Sequence, residues 1–140
     1  MIVKSPFGRN RRDRDADRRA LRRGDAVELA CRLRRTSARG WGPWTDASLR
    51  LAELGAGGAS WHVEDPVSVG LPLVHGPVDE DLVDIDEIWL RPIRFRAEAF
   101  WGPEGDILVL TGESGTTELA CPPELTDDVS TRLRDQIGLD

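Results

Sequence analysis

Between Ile107 and Cys121 the sequence reads Ile-Leu-Val-Leu-Thr-Gly-Glu-Ser-Gly-Thr-Thr-Glu-Leu-Ala-Cys, two strand-forming runs either side of a polar, glycine-bounded turn. Pro122 and Pro123 stop the second run, because proline has no N–H to give a ladder. In the tail that follows, Leu125, Val129, Leu133 and Ile137 recur every four residues and form one apolar stripe. Thr126 or the prolines start this helix, Asp127 and Asp128 suit its positive end, Arg132 and Arg134 its negative end, and Gly138 its stop. A hairpin and a one-striped helix therefore close the chain, and the helix needs a sheet to lie on. Ile107-Leu-Val-Leu110 is apolar without alternation and is expected to sit deepest.

Upstream the pattern has period two. Val27, Leu29, Cys31 and Leu33 oppose Glu28, Arg32 and Arg34, the mark of a half-buried strand that makes Cys31 a core residue rather than a nucleophile. Further strands are expected over 47–54 and over 60–64, where His62 and Glu64 face away from Trp61 and Val63. A fourth covers 67–74, demoted to an edge by Pro72. A fifth runs through 88–100, with Ile93, Phe95 and Ala97 on one side and Arg94, Arg96 and Glu98 in water. Trp41-Gly-Pro-Trp44 enters at an edge or bulge because of Pro43, either as an exposed aromatic contact or packed under a loop. Four strands, three strands and one helix predict a mainly β fold, a PH-like small barrel of about seven antiparallel strands capped by the C-terminal helix. A two-layer α+β sheet is the alternative.

The 140 residues suit one domain over 25–140 behind an N-terminal arm over 1–24. Residues 1–39 carry 13 Lys and Arg against 5 Asp and Glu, whereas residues 40–140 carry 6 against 20. From Arg9 to Arg23 the only apolar anchors are Ala16, Ala20 and Leu21, so a solvated segment is expected, with Asp15 one helical turn before Arg19. It would serve as a linker, as a strap on the acidic body, or as a phosphate- or anionic-surface-binding arm. Asp79 to Glu87 holds six carboxylates in nine residues. It lacks the pattern of a calcium loop and reads as a charged connection with a turn of helix anchored by Leu82, Val83 and Ile85, the obvious landing place for the arm. His62 and His75 lie on separate strands without metal-ligand spacing, so neither metal nor cofactor is expected. Two cysteines, no secretory h-region and no run long enough to span a bilayer suggest a cytoplasmic protein.

Cys31-Arg-Leu-Arg34, Arg39-Gly-Trp-Gly42, the strand with Trp61, and Thr117-Glu-Leu-Ala120 before a capping helix resemble a family of actinobacterial proteins of unknown function. The resemblance covers about residues 21 to 137. It implies a PH-like domain, normally behind one N-terminal transmembrane helix, and brings no catalytic residues and no ligand. Here the Arg/Asp arm stands where that helix would be, and the loop at 79–87 is acidic where the family is basic.

The reading favours a non-enzymatic protein-binding or scaffolding module, with nucleic-acid or anionic-membrane-surface binding through the arm as the alternative. Candidate partner contacts are Arg9, Arg11, Arg12, Arg14, Arg18, Arg19, Arg22, Arg23, Trp41 and Trp44, together with the edge at Val67 to Val74. Catalysis ranks last: Ser114 lies on a glycine-flanked turn without a histidine near it in sequence.

Overall fold

In the long first strand, β1 (Val27–Ser37), alternate side chains point to opposite faces, and the rest of the sheet is laid against it on both sides. The computed structural model describes residues 11–37, 40–63, 78–82, 84–100, 105–113 and 115–139, with backbone alone for 11–13, 37, 78 and 97. A two-residue β2 (Gly40–Trp41) folds back on the end of β1. On one side follow β3 (Thr45–Leu51), β4 (Ala59–Val63) and β5 (Val78–Asp81). On the other, β6 (Ile85–Pro92), β7 (Asp106–Gly112) and β8 (Gly115–Ala120) meander back to β1. The order is β5-β4-β3-β1-β8-β7-β6, all antiparallel, with β2 attached to β1 alone. The fold is thus mainly β, seven antiparallel strands curled into a half-barrel with a C-terminal helix.

The concave face holds Leu29, Cys31, Leu33, Leu49, Leu51, Trp61, Val63, Ile88, Leu108, Leu110 and Leu119. Helix α2 (Thr126–Ile137) lays its expected stripe on this core: Leu125, Val129 and Leu133 are buried and Ile137 is partly so. No side chain caps its start, but Gly138 in the left-handed region ends it as expected. Cys31 is 1% exposed, and burial pushes its thiol well above its ordinary pKa; Cys121 is pushed up to about 12 by the same cause.

The arm departs from expectation, because residues 11–23 are not a solvated segment. They form helix α1 (Arg11–Arg23), which packs on α2. Leu21 is buried in the main core, and Arg14, Arg18 and Arg22, one turn apart each, lie along α2. Arg14 pairs with Glu124 at 3.1 Å and Arg22 with Asp128 at 3.0 Å, so the arm lands on α2 rather than on residues 79–87. Its C-terminus is closed by Arg132, which was expected at the negative end of its own helix. Instead the guanidinium is buried and donates to the carbonyls of Ala20, Leu21, Asp25 and Ala52, while Nε donates to Gln136. The Ala20 and Leu21 carbonyls, at the negative pole of the helix dipole, also accept from the Asp25 and Gly24 amides, so Arg132 adds a second donor to each. Burial lowers the Arg132 pKa, and the nearby Asp25 and Asp135 charges oppose that shift. Gly24, at φ +79°, turns the chain beneath this latch; a Cβ there would lie 2.9 Å from Leu54 Cδ1.

Two other expectations fail. Residues 79–81 and 85–87 are strand rather than a helical connection: Glu80 points inward, where it accepts from Arg35 Nη1 at 2.7 Å and Trp61 Nε1 at 3.2 Å. Backbone pairing of β5 with β4 and of β6 with β7 outweighs the low strand propensity of Asp and Glu. The strand expected through 88–100 ends at Pro92, which cannot donate to a ladder, and a 3-10 turn follows at Arg96–Glu98. Ile107 to Leu110 is buried at every position, as expected. The strand expected at 67–74, together with His75 and Ser114, lies outside the described residues.

Replacing Arg132 by Ala removes a buried side chain together with its bonds to four carbonyls and to Gln136, and should lower the unfolding free energy by about 3 kcal/mol. In native-state hydrogen exchange the amides of α1 should lose protection before those of β1; equal loss in both would show that Arg132 supports the barrel and not the strap.

Candidate functional site

The convex side of β1, β8, β7 and β6 should be wet, yet Glu118, Ala120, Ile107, Val109 and Arg91 are all buried there. Arg34, Glu118, Val109 and Trp89 stand in one register row, with Arg91 in the next. The segment after Pro92 folds back over them and brings Glu98, 2% exposed, onto Arg91. Arg91 forks onto both carboxylates: Nε and Nη2 reach Glu118 at 2.7 and 2.8 Å, and Nη1 and Nη2 reach Glu98 at 3.0 and 2.5 Å. Arg34 adds Nη2 to Glu118 at 2.6 Å and to Glu98 at 3.5 Å. Two guanidiniums and two carboxylates balance, the condition under which such a group tolerates a dry site.

Burial works against the ionised form of both carboxylates and would raise their pKa. Hydrogen bonds from Arg91, joined by the Arg94 amide at Glu98 and by Arg34 at Glu118, outweigh it and hold both below the ordinary 4.5. Glu118 and then Glu98 in turn raise the Arg91 pKa. Sequence reasoning put Glu98 in water and passed over Arg91. The available signal was an arginine flanked by Leu90 and Pro92 on an otherwise apolar strand end, with Glu118 alone among Thr117, Leu119 and Ala120.

Aromatic rings surround this cluster. Arg34 lies 4.3 Å from the Trp41 ring centroid and 5.0 Å from that of Trp44, while Trp44 meets Phe100 edge-on at 5.4 Å. Arg32 sits 4.6 Å over Phe100. Of the Trp41/Trp44 pair, Trp44 is half-buried and Trp41 is 45% exposed. Two further rings stand open that the sequence reading did not single out, Trp89 at 40% and Phe95 at 58%. Strand spacing separates the Trp41 end of the row from Trp89 by about 14 Å.

Among the arm residues, Arg14, Arg18 and Arg22 face α2, whereas Arg19 and Arg23 are exposed. Arg11 and Arg12 begin α1, and Arg9 lies outside the described residues. On the convex side of β3–β5, His62 Nδ1 meets Asp79 at 2.7 Å, and Arg50 joins Glu28 and Asp79. Beside them a shallow depression of about 540 Å³ is lined by Arg50, Leu51, Ala52, Ala59, Ser60, Asp81 and Leu82, with no convergent polar set beyond the paired Arg50. Among the described residues no cluster of three His, Cys, Asp or Glu could hold a metal, and no helix is long and apolar enough to cross a membrane.

Removing Arg91 strands two buried carboxylates, so Arg91→Ala should cost about 3–5 kcal/mol in chemical denaturation. Arg50→Ala, whose partners are exposed, should cost less than about 1 kcal/mol. Because both carboxylates titrate lower in the folded state, the cluster stabilises fully above their ordinary value and loses that contribution as pH falls through the lowered ones. Glu118→Gln should therefore melt lower than wild type at neutral pH and show a shallower loss below about pH 4.5. Parallel melting curves for the two proteins in acid would contradict this assignment.

No family model matches the sequence, and no curated protein matches it. Among solved structures the chain is similar to the pleckstrin homology (PH) domain of USP37, at 20% identity and a TM-score of 0.44, over 78% of this chain and 92% of that one.

Proposed function

We propose that the protein is a non-enzymatic binding module whose partner is another protein, engaged through the convex face. The observation that carries this reading is the placement of Trp41, Trp89 and Phe95. Trp41 and Trp89 stand open on the convex face and Phe95 is exposed on the turn that follows Pro92, beside a layer whose side chains are locked by the Arg91–Glu118–Glu98–Arg34 cluster. Trp and Phe are enriched among residues that anchor interfaces, and anchors act best when held in position before binding. The half-barrel supports the reading as a frame for display, since the described apolar residues of its concave face pack into one core.

The arm supports nucleic-acid binding less well. Three of its arginines are turned onto Glu124 and Asp128, and a phosphate backbone would have to compete with those carboxylates.

Capture of partners from a cell extract separates the two readings. A protein partner retained by wild type should be lost by a Trp41→Ala, Trp89→Ala double variant and kept by an Arg19→Glu, Arg23→Glu variant. The reverse pattern, with retention that collapses between low and physiological salt, would transfer the function to the arm.

A further inference from the structure

Residues 40–140 contain only six basic side chains, Arg50, Arg91, Arg94, Arg96, Arg132 and Arg134, against 20 acidic ones. Four are committed. Arg50 joins Glu28 and Asp79, Arg91 joins Glu98 and Glu118, Arg132 holds the end of α1, and Arg134 donates to the Ile88 carbonyl. Arg94 and Arg96 are exposed, and among the described residues neither side chain has an ion pair or hydrogen bond. They flank Phe95, at 58% the most open large apolar side chain described.

This tip is held rather than loose. Phe95 has extended backbone, φ −129° and ψ 146°, immediately before the 3-10 turn at Arg96–Glu98. Behind it the Arg94 amide donates to Glu98 Oε1 at 3.1 Å, and the same carboxylate is gripped by Arg91. The Phe95 carbonyl accepts from the Glu98 amide at 2.9 Å. An aromatic side chain and two cations are thereby displayed from a turn whose ordering is already provided by the buried cluster.

Resting on the binding-module reading, we propose that Arg94-Phe95-Arg96 is the recognition tip and that its ligand is a short acidic protein segment carrying an apolar or aromatic anchor. Charge complementarity selects the sign: among the described residues these two cations have no carboxylate partner, on a strongly acidic half of the chain. Size selects a short segment over an anionic bilayer. At a screening length of about 8 Å a peptide lying on the tip feels mainly Arg94 and Arg96, whereas a membrane plane also meets the acidic body. Strand addition is not the mode of capture. The outer edge of β6 is closed by Arg134 on the Ile88 carbonyl and by Pro92, which has no N–H to offer and whose carbonyl already accepts from Arg91.

The test titrates the full chain with three synthetic peptides: an acidic one with a central Trp, the same peptide with Ala for Trp, and a lysine-rich counterpart that keeps the Trp. Ring resonances of Phe95, Trp89 and Trp41 are followed by NMR. The acidic Trp peptide should bind, shift Phe95 most, and weaken with added salt. Affinity should fall about tenfold in Phe95→Ala and at least about tenfold in Arg94→Glu, Arg96→Glu, and stay unchanged in Arg19→Ala on the exposed side of α1. All these side chains are exposed, so the variants keep the fold.

Equal binding of the lysine-rich peptide, or undiminished binding by the charge-reversed variant, would overturn the acidic ligand while leaving the binding module standing. Silence from all three peptides would overturn it too, and the module would then stand or fall on partner capture by the Trp41, Trp89 variant. Co-sedimentation with phosphatidylserine-containing vesicles that needs Phe95, without peptide binding, would assign the tip to a lipid surface instead.

Discussion

One carboxylate, that of Glu118, ties together side chains from β1, β8 and β6. It sits in the middle of β8, opposite Arg34 on β1, and receives Arg91 from β6 across the width of β7. Through Arg91 it fixes Glu98, and through Glu98 the whole turn that follows Pro92. A charge with no water around it tolerates little freedom in its partners, because any displacement leaves part of it uncompensated at a cost of several kcal/mol. This demand pulls residues 93–98 over the convex face and converts a side of the sheet that could have been wet into a second buried layer, with Ile107, Val109 and Ala120 beneath it.

That second layer separates what the sequence reveals from what it hides. Alternation identifies β1, β3 and β4, because each has one face on the core and one in water, and period two is the direct expression of that geometry. The unbroken run at Ile107–Leu110 was a sign of burial on both faces, but it does not say what covers the second face. The cover is polar: a paired Arg and Glu read by composition as surface, so Arg94, Arg96 and Glu98 were assigned together to a solvated strand face and only Glu98 turned inward. The register across three strands that unites Arg34, Glu118 and Arg91 has no local signature. Likewise the acidic stretch at 79–87 contains the β5 and β6 ends because its neighbours supply the ladder, a tertiary effect that propensity cannot register.

The arm illustrates the same point with charge in place of hydrophobicity. Arg14, Arg18, Leu21 and Arg22 lie on one side of a helix at intervals of three and four, an amphipathic pattern in which the buried side is cationic. Its counterpart is a strip of α2 beginning at Glu124 and Asp128, far along the chain and legible only as helix-start acids. Exposed ion pairs of this kind each contribute little. The strap is held more by Leu21 in the core and by Arg132, whose guanidinium gathers carbonyls from α1, the following turn and β3. An element that looks like a free basic tail in composition is thereby spent largely on structure. This shifts the weight of any binding role toward the barrel.

Display and rigidity are coupled in this molecule by the same residues. A turn of seven or so residues that carries an open Phe would, if mobile, lose roughly a kcal/mol or more per ordered residue on engaging anything. Here the ordering is accomplished in folding, by an ion cluster that contributes little net stability compared with an apolar filling of the same volume. A purely hydrophobic second layer would hold the sheet as well, but it would not fix one turn in one orientation, since apolar contacts are indifferent to direction whereas a bidentate Arg–Glu fork is not. The directional bonds of Arg91 are therefore best understood by what they orient: a ring and two cations, facing water, at the edge of a half-barrel whose own interior is already full.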